Sequence, residues 1–340
     1  MTELKTVELK APYLIFLGDE TVPAYAKTGA GIAHWRPELC MGQISLEGGT
    51  VDLGLEKLSL QQASEKGAKT LIIGTSVVGG GIPDSWIELL SQALEQGMDI
   101  AAGVHTKLND IEKLKVVSEK TGQRLIDVRT PPMNLPVGTG KKRSGKRLLT
   151  VGTDCALGKK YTALAIDQGL RARGIDSTFR ATGQTGILIS GSGMPIDAVV
   201  ADFVSGAAEV LSPENDDNHW DVIEGQGSLH HPGFAAVSTG LLMGSQPDAF
   251  VVCTELGRET IKGWPDFKLP SIQAVIDRTV DIGKSVNTDI HCVGISVNSS
   301  SLEELEAQEQ MQKLEKQYGL VVIDPIRFGA ERLIEKLVAN

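Results

Sequence analysis

The sequence is poor in cysteine, in positive charge and in long apolar runs, and each shortage excludes a class of protein. Its 4 cysteines stand singly, without a Cys-x-x-Cys pair or matched histidines, so neither a zinc site nor a disulfide framework is predicted. The formal net charge of −10 and a pI near 5.2 argue against nucleic acid and anionic membranes as partners. The five-residue apolar run before Gly18 is too short for a signal sequence or a membrane span. We therefore expect a cytoplasmic protein whose partners are small molecules.

The composition is that of an ordinary globular protein. Hydrophobic residues make up 41% and charged residues 22% of the chain, which is enough to build a core without metal or disulfide support. At 340 residues the chain exceeds the size at which one core usually stops growing, so two domains are predicted. No repeat of fixed period is present. We also expect the chain to form a homo-oligomer.

Short apolar runs alternate with amphipathic stretches of helical length, which is typical of parallel strands joined by crossover helices. In the first part of the chain, strands are predicted at residues 13–17, 70–73, 99–102 and 124–127, and helices at 85–96 and 110–120. Later strands are predicted at 148–151, 177–180, 222–224, 250–253, 293–297 and 321–323. Residues 129–147 are rich in Pro, Gly and basic residues and have no period, as in a linker. The predicted fold is α/β: a Rossmann-like domain at 1–135, a linker at 136–146, and a larger P-loop NTPase-like parallel-sheet domain at 147–340.

Residues 151–164, VGTDCALGKKYTAL, lie between an apolar strand and a helical pattern, which is the setting of a phosphate-binding loop. Gly152 and Gly158 permit turns that direct successive N–H groups inward, and the start of the helix adds its partial positive charge. Lys159 adds a full charge. The simpler alternative is a glycine-rich turn without a ligand. The residues predicted to bind the phosphate-bearing cofactor are Gly152, Thr153, Asp154, Cys155, Ala156, Leu157, Gly158, Lys159, Lys160, Tyr161 and Thr162.

One position departs from the common form of this loop. Lys160 stands where a Ser or Thr usually holds magnesium beneath the phosphates. Thr162 substitutes for that hydroxyl only if the helix start is distorted. Magnesium is therefore not expected to be essential, and no metal ligand is predicted. Asp154 is expected to bond a loop N–H or to contact substrate, rather than to face a phosphate.

Three titratable residues follow the strand predicted at 222–224, in WDVIEGQGSLHHPGF. Glu224 ends an apolar strand, so its carboxylate should lie at the edge where open α/β sheets bind ligands. It is a candidate general base, or alternatively it only orients the loop. His230 and His231 are further candidates, because histidine titrates near neutrality. The alternative is that one of them packs against Pro232.

Other polar residues are candidates for binding a carboxylate substrate. Arg180 ends the strand at 177–180 and precedes ATGQTG, which contributes Thr182, Gln184 and Thr185. Alternatively Arg180 pairs with an acidic side chain. Asp19 follows the first strand, where it contacts substrate or caps a helix. The glycine-rich run at 74–86, GTSVVGGGIPDSW, is either a second ligand loop or a flexible turn.

Two family resemblances follow from these motifs. The pattern GTDxxxGK is similar to the loop of dethiobiotin synthetase and of cobyric-acid-synthase-like amide ligases, in which a later acidic strand end corresponds to WDVIEGQG. The longer resemblance is to a family of two-domain P-loop proteins, long of unknown function, that includes a D-glutamate N-acetyltransferase. It covers essentially the whole chain, through FLGDETVPAYAKTG, GTDCALGKKYTA, FRATGQTGILISGSGMPIDAVVADFVSGAAE and IEGQGSLHHP.

This second resemblance implies that acetyl-CoA is the co-substrate and D-glutamate the small-molecule acceptor. A phosphate nest suits CoA, which carries a pyrophosphate and a 3′-phosphate, and Lys160 would then serve as a counter-charge in place of magnesium. Two alternatives remain open at this point. One is a Mg-ATP-dependent ligase or kinase, and the other is a nucleotide-binding switch without catalysis.

Overall fold

The computed structural model describes residues 6–76 and 80–339, and its chain forms two compact units. The Rossmann-like unit comprises Thr6–Pro131 and Gln184–Pro195, and the P-loop unit comprises Pro132–Gly183 and residues 196–339. Residues 77–79, within the glycine-rich run at 74–86, lie outside the described residues. Within the described ranges, no helix combines the length and the apolar character needed to cross a membrane.

The helices and strands follow in chain order. Those before the connection between the units are β1 (Val7–Glu8), β2 (Tyr13–Phe16), α1 (Lys27–Trp35), β3 (Cys40–Ile44), α2 (Leu60–Glu65), β4 (Thr70–Ile73), α3 (Asp84–Glu95), β5 (Asp99–Ala102), α4 (Glu112–Thr121) and β6 (Leu125–Asp127). Those after it are β7 (Lys146–Gly152), α5 (Lys159–Ala172), β8 (Ser177–Arg180), α6 (Gln184–Ser190), β9 (Ser192–Gly193), α7 (Val204–Leu211), β10 (Trp220–Ile223), α8 (Ala235–Ser245), β11 (Ala249–Glu255), β12 (Thr260–Ile261), β13 (Trp264–Lys268), α9 (Ile272–Gly283), β14 (His291–Asn298), α10 (Glu304–Tyr318), β15 (Val321–Ile323) and α11 (Glu331–Val338).

The Rossmann-like unit is built on a parallel sheet of order β3-β2-β4-β5-β6. Its central strands are buried at every position, which explains why they read as continuous apolar runs rather than as alternating ones. The strand order reverses between β2 and β4, so the crevice beyond the carboxyl ends of these strands is the expected ligand position of the unit. The short strands β1 and β9 pair in antiparallel fashion.

The P-loop unit is built on a larger parallel sheet of order β15-β14-β11-β7-β10-β8. Strands β7 and β10 are neighbours in this sheet, so the loop after β7 and the residue after β10, Glu224, lie at the same edge. The hairpin β12-β13 is separate from the sheet. Together the two units confirm the predicted α/β fold, with a Rossmann-like part followed by a P-loop part.

One segment lies in a different unit from the one in which the sequence predicted it. Residues 184–195 follow β8 of the P-loop unit but pack in the Rossmann-like unit. Helix α6 buries Ile187, Leu188 and Ile189, and a Cβ at Gly31 of α1 would lie 3.3 Å from Ile189. The apolar face of α6 is therefore covered by the first unit, although its sequence lies beyond the linker.

Candidate functional site

The phosphate-binding loop connects the central strand β7 to helix α5. Ala156 has φ of 54° and Gly158, at the N-cap of α5, has φ of 108°. These left-handed conformations, alternating with ordinary ones, turn consecutive N–H groups to the same side of the chain. In the described part of the chain, the N–H groups from Ala156 to Lys160 have no hydrogen-bond acceptor. The loop therefore presents a concave row of donors at a helix N-terminus, an arrangement suited to a phosphate.

Lys159 lies beneath the loop and is buried. Its Nζ donates to the Asp154 carbonyl at 2.7 Å, which leaves two of its three donor positions for a ligand. Burial lowers the pKa of the ammonium, and the neighbouring anionic groups oppose that shift. Gly225 makes room for the stem of Lys159, since a Cβ at Gly225 would lie 3.2 Å from Lys159 Cδ and 1.6 Å from the Thr150 carbonyl oxygen. A glycine is therefore required at position 225.

Both carboxylate oxygens of Asp154 are turned away from the concave face of the loop. Oδ1 accepts from the Cys155 N–H at 2.6 Å, as the sequence predicted for a loop N–H. Oδ2 accepts from Arg258 at 2.9 Å and from the Lys262 N–H at 2.8 Å. Arg258 also donates to the Cys155 carbonyl and pairs with Glu255. Arg258 thus neutralises the one acidic side chain of the loop, which would otherwise repel a phosphate.

Arg258 is a residue that sequence reasoning missed. It lies 104 positions after Asp154, in the segment between β11 and β12, and no motif marks it. The only signal was indirect, because an aspartate inside a phosphate loop requires a compensating cation.

Lys160 and Glu224 carry opposite charges that influence each other beside the loop. Burial lowers the pKa of Lys160, and the charge of Glu224 opposes that shift. Burial likewise raises the pKa of the Glu224 carboxyl above its usual range, with Lys160 as the largest opposing influence. Lys160 Nζ also lies 4.6 Å from the centroid of the Tyr161 ring. The cation that the sequence places at the magnesium position therefore lies against an aromatic ring and interacts electrostatically with a buried carboxylate.

The two oxygens of Glu224 have different environments. Oε2 accepts from the backbone N–H groups of Thr182 at 2.9 Å and Gly183 at 3.2 Å. The Thr182 hydroxyl donates back to the Glu224 carbonyl at 2.7 Å and accepts from the Gln226 amide at 2.9 Å. Among the described residues, no group donates a hydrogen bond to Oε1. Glu224 is thus anchored through one oxygen and offers the other to a ligand.

Thr162 faces the core rather than the loop. Its hydroxyl lies 2.8 Å from the Ser296 hydroxyl and 3.6 Å from the Cys253 thiol, and the side chain is buried. Helix α5 begins at Lys159, and Thr162 lies two positions after Lys160, about 200° further round the helix. The hydroxyl is therefore not available to hold a metal, but Thr162 also lines a cavity beside the loop, so its place among the cofactor contacts stays a prediction.

His231 is buried and held between the rings of Phe234 and Trp264, with centroids at 4.5 and 4.6 Å. Its Nδ1 accepts from the Gly233 N–H at 3.0 Å, so the neutral imidazole carries its proton on Nε2. Nε2 has no hydrogen-bond partner in the described part of the chain and lies 3.8 Å from Asp154 Oδ1. This imidazole is arranged to donate a proton towards the loop, not to accept one.

His230 has the opposite arrangement. Its Nε2 lies 3.2 Å from the Ala274 carbonyl and therefore carries the proton, which leaves the Nδ1 lone pair as the basic position. Burial and the charge of Arg278 lower the pKa of His230, so the ring is neutral at physiological pH. Of the two histidines, His230 is the better candidate for a base.

Asp154, Cys155 and His231 bring three potential metal-ligand atoms within 4.8 Å of one another. Both oxygens of Asp154 already accept hydrogen bonds, and the Arg258 guanidinium lies 2.9 Å from Oδ2. Burial raises the pKa of the Cys155 thiol, which disfavours the thiolate that a metal requires. This donor set is a poor match for a cation.

The residues predicted to bind the substrate belong to both units. Arg180 Nε donates to the buried Asp221 carboxylate at 2.7 Å. Arg180 therefore pairs with an acidic side chain, which was the alternative to binding substrate. Thr182 belongs to the Glu224 network. Gln184 and Thr185 line a cavity of the Rossmann-like unit. The exposed Asp19, also in that unit, accepts from the Trp86 indole at 3.1 Å.

A cavity of about 140 Å³ adjoins the start of helix α5 within the P-loop unit. It is lined by Leu157, Gly158, Tyr161 and Thr162 of the loop and helix, and by residues at the end of β14 and beyond β15, including Asn298 and Ile326. Its wall is fixed by Asp324, which accepts from the N–H groups of Ser299, Ile326 and Arg327. No sequence motif predicted this cavity.

Comparisons with known proteins agree with this organisation. A family model described as a domain of unknown function, DUF1611_C, P-loop domain, matches residues 136–334, and one described as DUF1611_N, Rossmann-like domain, matches residues 45–131.

Three relatives match nearly the whole chain. A protein of Tritonibacter scottomollicae named D-glutamate N-acetyltransferase is 49% identical over 331 residues, covering 97% of this chain and 99% of the relative. One of the same name from a Pseudoalteromonas species is 46% identical, covering 97% and 100%. The crystal structure of a DUF1611 family protein from Anabaena variabilis matches with a TM-score of 0.80 and 33% identity, covering 97% and 100%. The chain therefore belongs to the DUF1611 family of proteins with a Rossmann-like domain and a P-loop domain.

Proposed function

We propose that this protein is a D-glutamate N-acetyltransferase, which moves the acetyl group of acetyl-CoA to the amine of D-glutamate. The observation that carries the proposal is the identity of 49% and 46%, over 97% of the chain, to two relatives of that name. The amine nitrogen attacks the thioester carbonyl, the C–S bond breaks, and CoA leaves as the thiolate. The ammonium proton must leave before attack. Because acetyl-CoA is the proposed donor, we place the reaction in the cytoplasm.

The P-loop is the proposed anchor for the phosphates of CoA. Its free N–H groups between Ala156 and Lys160 and the ammonium of Lys159 supply donors and charge on one face. The cavity beside Tyr161 and Asn298 is the proposed position of the adenine, since it adjoins the loop and combines aliphatic side chains such as Leu157 and Ile326 with polar ones. This arrangement binds the nucleotide end of CoA without hydrolysing a phosphate.

Lys160 takes the place of magnesium in this proposal. It lies at the second position of α5, its charge interacts with Glu224, and Thr162 is committed to Ser296. A fixed ammonium supplies the counter-charge that a P-loop otherwise obtains from the metal. We therefore expect no requirement for a divalent cation.

Glu224 is the proposed general base. Its Oε1 is free to accept the ammonium proton, its Oε2 holds the carboxylate in place, and burial raises its pKa towards the operating pH. His230 is the second candidate, through Nδ1. We assign His231 a positioning role, because its Nε2–H faces Asp154 at 3.8 Å and its Nδ1 is already bonded.

The proposal is tested by incubating the pure protein with D-glutamate and either acetyl-CoA or Mg-ATP, and identifying the products by mass. The expected products are N-acetyl-D-glutamate and free CoA, with no consumption of ATP. L-Glutamate is the matched control for stereochemical preference. ADP formation with D-glutamate would support a ligase or kinase, and binding without turnover of either cosubstrate would support a nucleotide-binding switch.

A further inference from the structure

The Rossmann-like unit contains a cavity of about 460 Å³ to which no role has been assigned so far. It lies beyond the carboxyl ends of β4 and β5 and beside helices α1 and α6, close to the point where the strand order reverses. Its size falls within the range of about 300 to 1,000 Å³ that is typical of small-molecule sites. Its polar lining consists of Thr28, Thr75, Ser76, His105, Gln184 and Thr185.

Thr75 carries the strongest sign that the cavity is a binding site. The side chain is 4% exposed and lines the cavity, yet its hydroxyl has no hydrogen-bond partner in the described part of the chain. A buried hydroxyl without a partner destabilises a fold, so its retention needs a reason. The adjacent Ser76 hydroxyl, by contrast, bonds the Tyr25 carbonyl at 3.1 Å.

Two other lining groups are held in fixed positions. Gly80 has φ of 73°, and a Cβ there would lie 2.6 Å from His105 Cδ2, so the absence of a side chain lets the imidazole lie against the backbone. The Gly80 carbonyl accepts from the N–H groups of His105 and Thr106, both at 3.1 Å. With its amide nitrogen directed to the Gly103 carbonyl, Gln184 places its amide oxygen 3.1 Å from an Arg129 guanidinium nitrogen. The polar lining is therefore preorganised.

The side chains that line the cavity limit the chemical class of ligand that it can bind. Among the described lining residues there is no Asp, Glu, Lys or Arg, and the imidazole of His105 is the only ring. A divalent cation or polyamine would need carboxylates, and a nucleobase would need an aromatic or apolar slot. Hydroxyl groups, an amide and an imidazole suit the oxygens of a small carboxylate.

We propose that this cavity binds the amino-acid acceptor, with the Thr75 hydroxyl donating to one of its carboxylates; this inference rests on the proposed acetyl transfer. A lining of hydroxyl groups binds the carboxylates while leaving the amine unpaired.

Thr75→Val tests the proposal, because it keeps the shape of the side chain and removes only the hydroxyl. Binding of D-glutamate to the full chain is measured by calorimetry, with and without CoA. We expect Thr75→Val to weaken binding about tenfold or more, the range for a hydrogen bond to a charged group, and to raise KM with little change in kcat. Its Tm should equal or exceed that of the unmodified chain, since the hydroxyl has no partner to lose.

Thr70→Val is the matched control. Thr70 begins the same strand, β4, and its hydroxyl bonds the Lys10 carbonyl at 2.7 Å, away from the cavity. This variant should lose some stability and keep its affinity for D-glutamate. Equal affinity of Thr75→Val and the unmodified chain, or no binding of D-glutamate with or without CoA, would overturn the inference.

The outcomes separate this inference from the proposed function. Formation of N-acetyl-D-glutamate with an unchanged KM in Thr75→Val refutes the cavity assignment and keeps the activity. Binding of D-glutamate that depends on Thr75, without acetyl transfer, refutes the activity and keeps the cavity as an amino-acid site.

Discussion

Glu224→Gln separates the chemical role of this residue from its structural one. The carbonyl oxygen of a glutamine can accept the same two N–H groups that Oε2 accepts, from Thr182 at 2.9 Å and Gly183 at 3.2 Å. The amide nitrogen then replaces Oε1 and has no lone pair for a proton. We expect kcat to fall about 10²- to 10⁴-fold, or about 2.7 to 5.4 kcal/mol in activation free energy, with nearly unchanged affinity for acetyl-CoA. Glu224→Ala leaves both N–H groups unpaired and should also lower the free energy of unfolding, by about 1 to 3 kcal/mol for each group.

The pH dependence gives an independent check. Burial raises the pKa of Glu224 in the folded protein, and only its carboxylate form accepts a proton, so kcat should rise with pH through a value above the ordinary range for glutamate. The folded state also binds this proton more tightly than the unfolded state. The stabilisation is therefore complete below the unfolded pKa of about 4.5 and is lost as pH rises through the folded value. Glu224→Gln should become more stable relative to the unmodified chain as pH increases, as measured by urea unfolding.

The kcat of the unmodified chain and of Glu224→Gln is measured from about pH 5 to 9 by following the release of the CoA thiol. Retention of near wild-type kcat by Glu224→Gln at neutral pH, with its acid limb intact, would refute Glu224 as the base. His230→Ala would then be the next variant to measure.

Three further predictions concern the loop and its surroundings. Lys159→Ala should weaken acetyl-CoA binding about ten- to a hundredfold, and unchanged affinity by calorimetry would exclude the loop as the CoA anchor. Turnover should survive excess chelator, and Lys160→Thr should not increase it; activity that EDTA removes and magnesium restores would favour the ATP-dependent alternatives. His231→Asn should leave the acid limb of the pH-rate profile in place, because an asparagine oxygen can accept the Gly233 N–H while the donor at Nε2 is lost. Loss of the acid limb of the pH-rate profile in His231→Asn would instead identify His231 as the base.

Local patterns predicted the parts of the fold that depend on neighbours in sequence. The strands at Thr70–Ile73 and Asp99–Ala102 were predicted with the bounds that the structure gives, because buried parallel strands read as apolar runs bounded by polar turns. The loop before Lys159 was recognisable because its strand, glycine-containing turn and helix are consecutive in the sequence. Strand β3, which contains Gly42 and Gln43, was missed because its sequence is not an apolar run.

Contacts between distant segments could not be predicted in the same way. The ion pair between Asp154 and Arg258 joins residues 104 positions apart, and the contact between Thr162 and Ser296 joins residues 134 positions apart. The direction in which the Thr162 side chain points depends on how α5 is rotated against β14, and this cannot be predicted from the sequence pattern. The roles of His230 and His231 depend on which ring nitrogen each backbone contact occupies, so two adjacent histidines of the same type were indistinguishable.

The return of residues 184–195 to the Rossmann-like unit has a practical consequence for dissecting the chain. A gene cut at the linker near residue 136 would express the first half without α6 and β9, so Ile187, Leu188 and Ile189 would remain on the other fragment. The first fragment would then expose the face of α1 that α6 covers, and the second would carry an uncovered apolar helix. We expect two separately folded halves only if α6 and β9 are fused to the end of the first fragment, after Pro131, and removed from the second by joining Gly183 to Ile196. A single cut between the two family domains therefore does not divide the chain into its two structural units.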